Sequence, residues 1–129
     1  MSETSTQKTV RTILLADDNA DIRQSISELL SSYGHQVICA ENGHDAVALL
    51  EKHNTQIDLL ILDVMMPRKN GIDAYHEINL IRPGTKAIFM GGYSTDMFHK
   101  FKSDVVYLEK PLDLTKLISA INQYLDCPD

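Results

Sequence analysis

No apolar stretch in these 129 residues approaches the roughly 20 needed to cross a bilayer as a helix, so no membrane span is expected and no direct membrane partner. Cysteine is scarce. Cys39 and Cys127 show no ligand spacing, and no secretory signal precedes them, so reduced thiols and a cytoplasmic location are expected. Positive charge is short as well. Twelve Lys and Arg stand against eighteen Asp and Glu, a formal charge of −6, which argues against holding nucleic acid by counterion release and leaves protein as the expected partner. The five histidines (His35, His44, His53, His76 and His99) share no ligand spacing and read as solvated side chains. What is present is ordinary for a globular chain of one domain, with 43% hydrophobic and 23% charged residues. Residues 1–10 are polar and aperiodic and read as a disordered leader or linker, with the domain over 11–127.

Apolar runs alternate with helical periodicity along the rest. Residues 12–16 form a short apolar run. Residues 21–33 follow with Ile22, Ile26, Leu29 and Leu30 at helical spacing, stopped by Gly34. Residues 36–40 read as a second strand and 43–52 as a second helix, with Ala46, Val47, Leu49 and Leu50 on one face. The run 57–62 is a third strand ending at Asp63. The turn 67–71 then leads into a helix over 72–81 with Ile72, Tyr75 and Ile78 inward, stopped by Arg82-Pro83-Gly84. Residues 86–90 are a fourth strand, 94–104 a short and marginal helix, and 105–108 a fifth strand. A last helix begins near Asp113, with Leu114, Leu117, Ile118, Ile121 and Leu125 on one stripe. This alternation predicts an α/β fold: a five-stranded parallel sheet with helices on both faces.

The ends of two of these strands carry the chemistry. A run apolar at nearly every position reads as a parallel strand buried on both faces, and it delivers its terminal residue to the carboxyl edge, where open α/β sheets bind ligands. Asp63 ends one such run and Asp17-Asp18 end another. Three carboxylates in one small region repel each other unless a cation is bound or a proton retained, so a metal site is expected there. The plainer alternative is that these acids only cap loops and helices.

Asp17-Asp18, Asp63 with the following Met65-Met66-Pro67 and Gly71, and Lys110-Pro111 after a fifth strand together resemble the receiver domain of two-component response regulators. Each motif alone is weak, but their order on a five-fold strand-helix pattern is specific, and the resemblance covers about residues 12–125. The stretch 57–93, with Arg82-Pro83 and Phe89-Met90-Gly91-Gly92-Tyr93, is most similar to receivers attached to hybrid sensor histidine kinases. A fragment of a longer protein and a freestanding receiver both fit.

The resemblance implies the flavodoxin-like strand order 2-1-3-4-5 and a set of roles. Asp63 matches the carboxylate that takes a phosphoryl group from the phosphohistidine of a sensor histidine kinase or phosphotransfer protein. Mg²⁺ or Mn²⁺ is implied as cofactor, bound by Asp18, Asp63 and the Met65 backbone carbonyl, with Asp17 acting through water. Lys110 matches the lysine that contacts the phosphoryl group, and Pro111 a proline often preceded by a cis peptide bond. The main departure is Gly91, where the family places Ser or Thr. Losing that hydroxyl predicts weakened switching, because a hydrogen bond to a charged group contributes roughly 1.5–3 kcal/mol. Ser94 and Thr95 lie beyond the strand end as substitutes. Tyr107 matches the aromatic switch residue, with its coupling put in doubt by Gly91. Met65 and Tyr93 border the phosphoryl group in the family, and their bulk predicts slow self-dephosphorylation.

A phosphoacceptor that is not an enzyme of its own is thus implied. It presents the face of strand four, helix four, strand five and helix five to a downstream protein or attached domain. The alternative is a phosphorylation-independent interaction module with the same fold, which Gly91 favours. An aspartyl phosphatase is disfavoured because Met65 stands where a second acid is needed. A flavin site is disfavoured because acids replace a phosphate-binding loop after the first strand.

Overall fold

A computed structural model describes residues 11–92 and 105–125. Five strands form one parallel sheet: β1 Thr12–Ala16, β2 Gln36–Ala40, β3 Leu59–Asp63, β4 Ala87–Gly91 and β5 Val105–Glu109. Their order is β2-β1-β3-β4-β5, as expected. Between them run α1 Ala20–Ser32, α2 Gly43–Lys52 and α3 Gly71–Ile81, and Leu114–Leu125 forms the last helix. The leader over 1–10, the helix expected over 94–104, and Tyr93, Ser94, Thr95, His99 and Cys127 lie outside the described residues.

Strand parity builds two cores. Leu14, Ala16, Leu60, Leu62, Ala87 and Phe89 face one side and pack with Ala46 and Leu50 of α2 and Tyr75 and Ile78 of α3. Ile13, Leu15, Leu59, Ile61, Ile88 and Met90 face the other side, against Ile26 and Leu30 of α1 and Leu117, Ala120 and Ile121 of the last helix. Because β3 and β4 are buried on both sides, both appear in the sequence as unbroken apolar runs. Burying a Leu or Ile side chain contributes roughly 1.5–3 kcal/mol, so the two cores together hold the sheet edge rigid.

Asparagine starts each of the first three helices. The side chains of Asn19, Asn42 and Asn70 accept the backbone N–H groups of Ile22, Asp45 and Asp73, satisfying donors that a helix start leaves without partners. The helix α1 ends as its glycine suggests. Gly34, at φ +91°, donates to the Ser31 carbonyl and His35 to that of Leu30, the paired bonds of a Schellman motif.

The structure shifts some boundaries. The strand β3 begins at Leu59, because Asp58 turns its carboxylate back to accept the Thr12 N–H at 2.9 Å. The strand β4 extends to Gly91. Leu114 does not share the buried stripe of the last helix: it is 43% exposed, and Ala120 is buried on the sheet side. Leu114 is the first residue of that helix.

Candidate functional site

The strand order itself makes the site. The connection after β1 leads to one side of the sheet and that after β3 to the other, so their carboxyl ends flank a crevice. Asp17 follows β1 and Asp63 ends β3. Both are buried, Asp17 completely and Asp63 with 3% exposed, while Asp18 is exposed. Carboxylate oxygens of Asp17, Asp18 and Asp63 lie within 4.8 Å of one another.

Asp17 is fixed on three sides. Its N–H donates to the Ala40 carbonyl at 3.2 Å, its carbonyl accepts from the Arg23 guanidinium at 2.7 Å, and its Oδ1 accepts from the Asn19 N–H at 2.9 Å. The remaining Oδ2 is buried, makes no hydrogen bond, and lies 3.7 Å from Lys110 Nζ. Asp63 is held on both oxygens. Oδ1 accepts from the Met65 N–H at 3.2 Å and Oδ2 from Lys110 Nζ at 3.1 Å. Lys110 donates its own N–H to the Gly91 carbonyl at 2.7 Å and precedes a cis bond to Pro111.

Burial is the largest influence on the Asp63 carboxyl and pushes it up, and the charge of Asp17 pushes it further. The hydrogen bond and charge of Lys110 and the Met65 N–H pull it down, leaving it at about 6 instead of the ordinary 3.8. One lysine therefore does not neutralise this pocket. A hard divalent cation held by oxygen ligands fits it, since the buried Asp17 Oδ2 lacks a hydrogen-bond donor and three carboxylates converge.

The loop after Asp63 is held tightly. Val64 donates to the Met90 carbonyl at 2.9 Å, Gly71 to the Val64 carbonyl at 3.0 Å, and Gly43 at the start of α2 to the Lys69 carbonyl at 2.9 Å. Arg68 adopts φ +69°, a left-handed conformation uncommon outside glycine. Met65 is 59% exposed beside the crevice. At the end of β4, a Cβ on Gly91 would stand 3.3 Å from Val64 Cβ and Cγ2 and 3.4 Å from Tyr107 Oη.

The structure thus brings together Asp17, Asp18, Asp63, Met65, Lys110, Gly91 and Tyr107. Sequence reasoning missed Asn19 and Arg23, which orient Asp17, and Gly43, which holds the loop. Asn19, two residues after Asp17 and at a helix start, carried a legible capping signal. The reach of Arg23 back to a carbonyl six residues earlier carried none.

The family model of the response regulator receiver domain matches residues 13–122. The transcriptional regulatory protein PdtaR of Mycobacterium tuberculosis is 36% identical over 114 residues, covering 86% of this chain and 55% of that protein. The sensor kinase CckA of Brucella abortus is 30% identical over 121 residues, covering 92% of this chain and 13% of the kinase. This chain therefore spans about half of the former relative and a small part of the latter. Among solved structures, a response regulator receiver domain protein from Clostridium thermocellum superposes with a TM-score of 0.82 at 29% identity, covering 90% of this chain and 94% of that one. The receiver domain of the hybrid histidine kinase CckA gives 0.77 at 28% identity, covering 88% and 98%.

Proposed function

Since the chain belongs to the response regulator receiver domains, we propose that Asp63 is its phosphoacceptor, taking a phosphoryl group from a phosphohistidine of a sensor histidine kinase or phosphotransfer protein. The observation that carries this reading is a carboxylate only 3% exposed at the crevice, its two oxygens held by the Met65 N–H and the Lys110 ammonium. An Asp63 oxygen attacks phosphorus as the P–N bond to the partner's imidazole breaks. The imidazole nitrogen leaves with the electron pair and takes a proton. Phosphoryl transfer asks for position and charge neutralisation more than for covalent help, and Lys110 supplies a fixed positive charge beside both Asp63 and Asp17.

Asp18, Asp63 and the Met65 carbonyl would hold Mg²⁺ or Mn²⁺, with Asp17 acting through water. When bound, the ion supplies neutralisation of the transferred oxygens. Met65 and Tyr93 limit attack by water, which makes self-dephosphorylation slow and leaves the domain a signalling element with no other activity. No described helix is long and apolar enough to cross a membrane, and a cytoplasmic location fits. Output passes through the face containing β4, β5 and the last helix to a downstream protein or attached domain, without direct contact to nucleic acid or membrane.

The test is intact mass after incubation with Mg²⁺ and a small-molecule phosphodonor. One phosphate adduct is expected on the chain and none on Asp63→Asn. An unmodified chain, under conditions that modify an ordinary receiver, would sink the proposal.

One observation favours a second reading, a fixed interaction surface. The Tyr107 hydroxyl stands beside Gly91, which carries no side chain to draw it in. Partner affinity measured with and without phosphate on Asp63 separates the two: a change of tenfold or so supports the switch, and identical affinities support the fixed surface.

A further inference from the structure

Of the three carboxylates at the crevice, two are held by hydrogen bonds of their own, Asp17 by the Asn19 N–H and Asp63 by the Met65 N–H and the Lys110 ammonium. Asp18 is the exposed one, and among the described residues no hydrogen bond or ion pair holds its side chain. Its place within 4.8 Å of the other two therefore rests on its backbone. A single residue grips that backbone on both flanks. Arg23, half-buried on α1, donates from Nη1 to the Asp17 carbonyl at 2.7 Å and from its backbone N–H to the Asn19 carbonyl at 3.0 Å.

The first of these bonds bears on Asp18 directly. The Asp17 carbonyl and the Asp18 N–H belong to one planar peptide unit, so fixing the oxygen fixes the plane from which the Asp18 Cα departs. Among the described residues the Arg23 guanidinium is the one side chain that holds this peptide. The Asn19 side is tied independently, by its N–H to Asp17 Oδ1 at 2.9 Å and by its side chain, which accepts the Ile22 N–H at 3.1 Å. Arginine suits the task. Its fork is planar and always charged, and among the described residues no carboxylate pairs with it, so its donor strength is directed at the carbonyl. That charge by itself would oppose a cation nearby, which gives the role a sign that can be measured.

Resting on the reading of Asp18 and Asp63 as ligands of a divalent cation, we propose that Arg23 is a positioning residue: through the Asp17 carbonyl it sets the Asp18 carboxylate where a small dication needs it. Arg23 itself acts on no reacting atom. Mg²⁺ demands near-ideal octahedral geometry, whereas Ca²⁺ accepts a flexible one. A loosened Asp18 therefore penalises Mg²⁺ more than Ca²⁺. Loss of a positive charge, by contrast, favours both ions alike.

The experiment titrates the full chain with Mg²⁺ alone and with Ca²⁺ alone, by calorimetry and without a phosphodonor. Wild type is expected to bind Mg²⁺, and Asp18→Asn to lose most of that binding, which assigns the heat to this pocket. Arg23→Met keeps a long apolar stem and removes the fork. It is expected to lose about tenfold in Mg²⁺ affinity, as fits a lost hydrogen bond from a charged group, and no more than about threefold in Ca²⁺ affinity. Arg23→Lys keeps the charge, but its ammonium stands one bond short of Nη1, and a larger loss for Mg²⁺ than for Ca²⁺ is expected there too. Should Arg23→Met melt early in EDTA, the lysine variant carries the test. Unchanged or tighter Mg²⁺ binding by the variant, or equal losses for the two ions, would overturn the inference and leave the cation site standing. No Mg²⁺ binding by wild type would overturn the cation site itself, while the phosphate adduct on Asp63 reports the phosphoacceptor reading separately.

Discussion

Gly71→Ala is expected to cost the fold about 2–3 kcal/mol, the upper part of the range for overpacking a closed site, and to slow phosphorylation of Asp63 by tenfold or more. A Cβ on Gly71 would meet the Asp63 carbonyl oxygen at 2.3 Å, its carbonyl carbon at 3.0 Å and Val64 Cα at 3.2 Å. All three are backbone atoms, so no side chain can swing away. Relief requires moving either Asp63 or the start of α3, and the Gly71 N–H to Val64 carbonyl bond at 3.0 Å is distorted either way. A displaced Asp63 loses its alignment with Lys110, and phosphoryl transfer depends on alignment. Gly43→Ala acts on the same loop from α2, with the Lys69 carbonyl oxygen only 2.1 Å from the added carbon. Its effect on stability should be similar and its effect on rate smaller, because Lys69 lies farther along the chain from the reacting oxygen. Denaturant titration and the initial rate of adduct formation measure both. Changes within half a kcal/mol for Gly71→Ala would show that the loop yields freely.

These two glycines show where sequence reading stops. Strand ends were legible because β3 and β4 are buried on both faces and so leave long apolar runs, and the acids that close β1 and β3 could be placed at one edge. Gly71 was visible as the end of a turn, yet its contact with Asp63 depends on the loop folding back eight residues, which periodicity does not encode. The same holds for Tyr107. Its place three residues before Lys110 was plain, but its approach to Gly91 depends on the pairing of β4 with β5, a property of two segments together. Leu114 failed for a simpler reason: helical spacing assigns a face all along a helix, whereas Leu114, its first residue, is 43% exposed.

Asp63→Asn should make the chain more stable in the absence of divalent cations, by up to about 3 kcal/mol above neutral pH. The Asp63 carboxyl stands at about 6 in the fold against an ordinary 3.8. At about 1.4 kcal/mol per pH unit, that interval sets the size of the effect. Its sign follows from proton counting. Below 3.8 the carboxyl is protonated in folded and unfolded chains alike, and its burial adds no charge cost. As pH rises from there through about 6, the unfolded chain gives up the proton first, so the folded state loses stability, and above about 6 the full cost remains. Asparagine has the same shape, keeps an acceptor for Lys110 and never ionises, so its advantage should be near zero in acid and full above neutrality. Divalent cations should narrow the gap in the same pH range, because they bind the ionised pocket of the wild type and not its amide variant. Thermal melts of both chains from pH 4 to 8, with EDTA and then with Mg²⁺, give the comparison. A variant no more stable than wild type at pH 7.5 in EDTA would mean that Lys110 alone neutralises the pocket, and the case for a cation there would weaken with it.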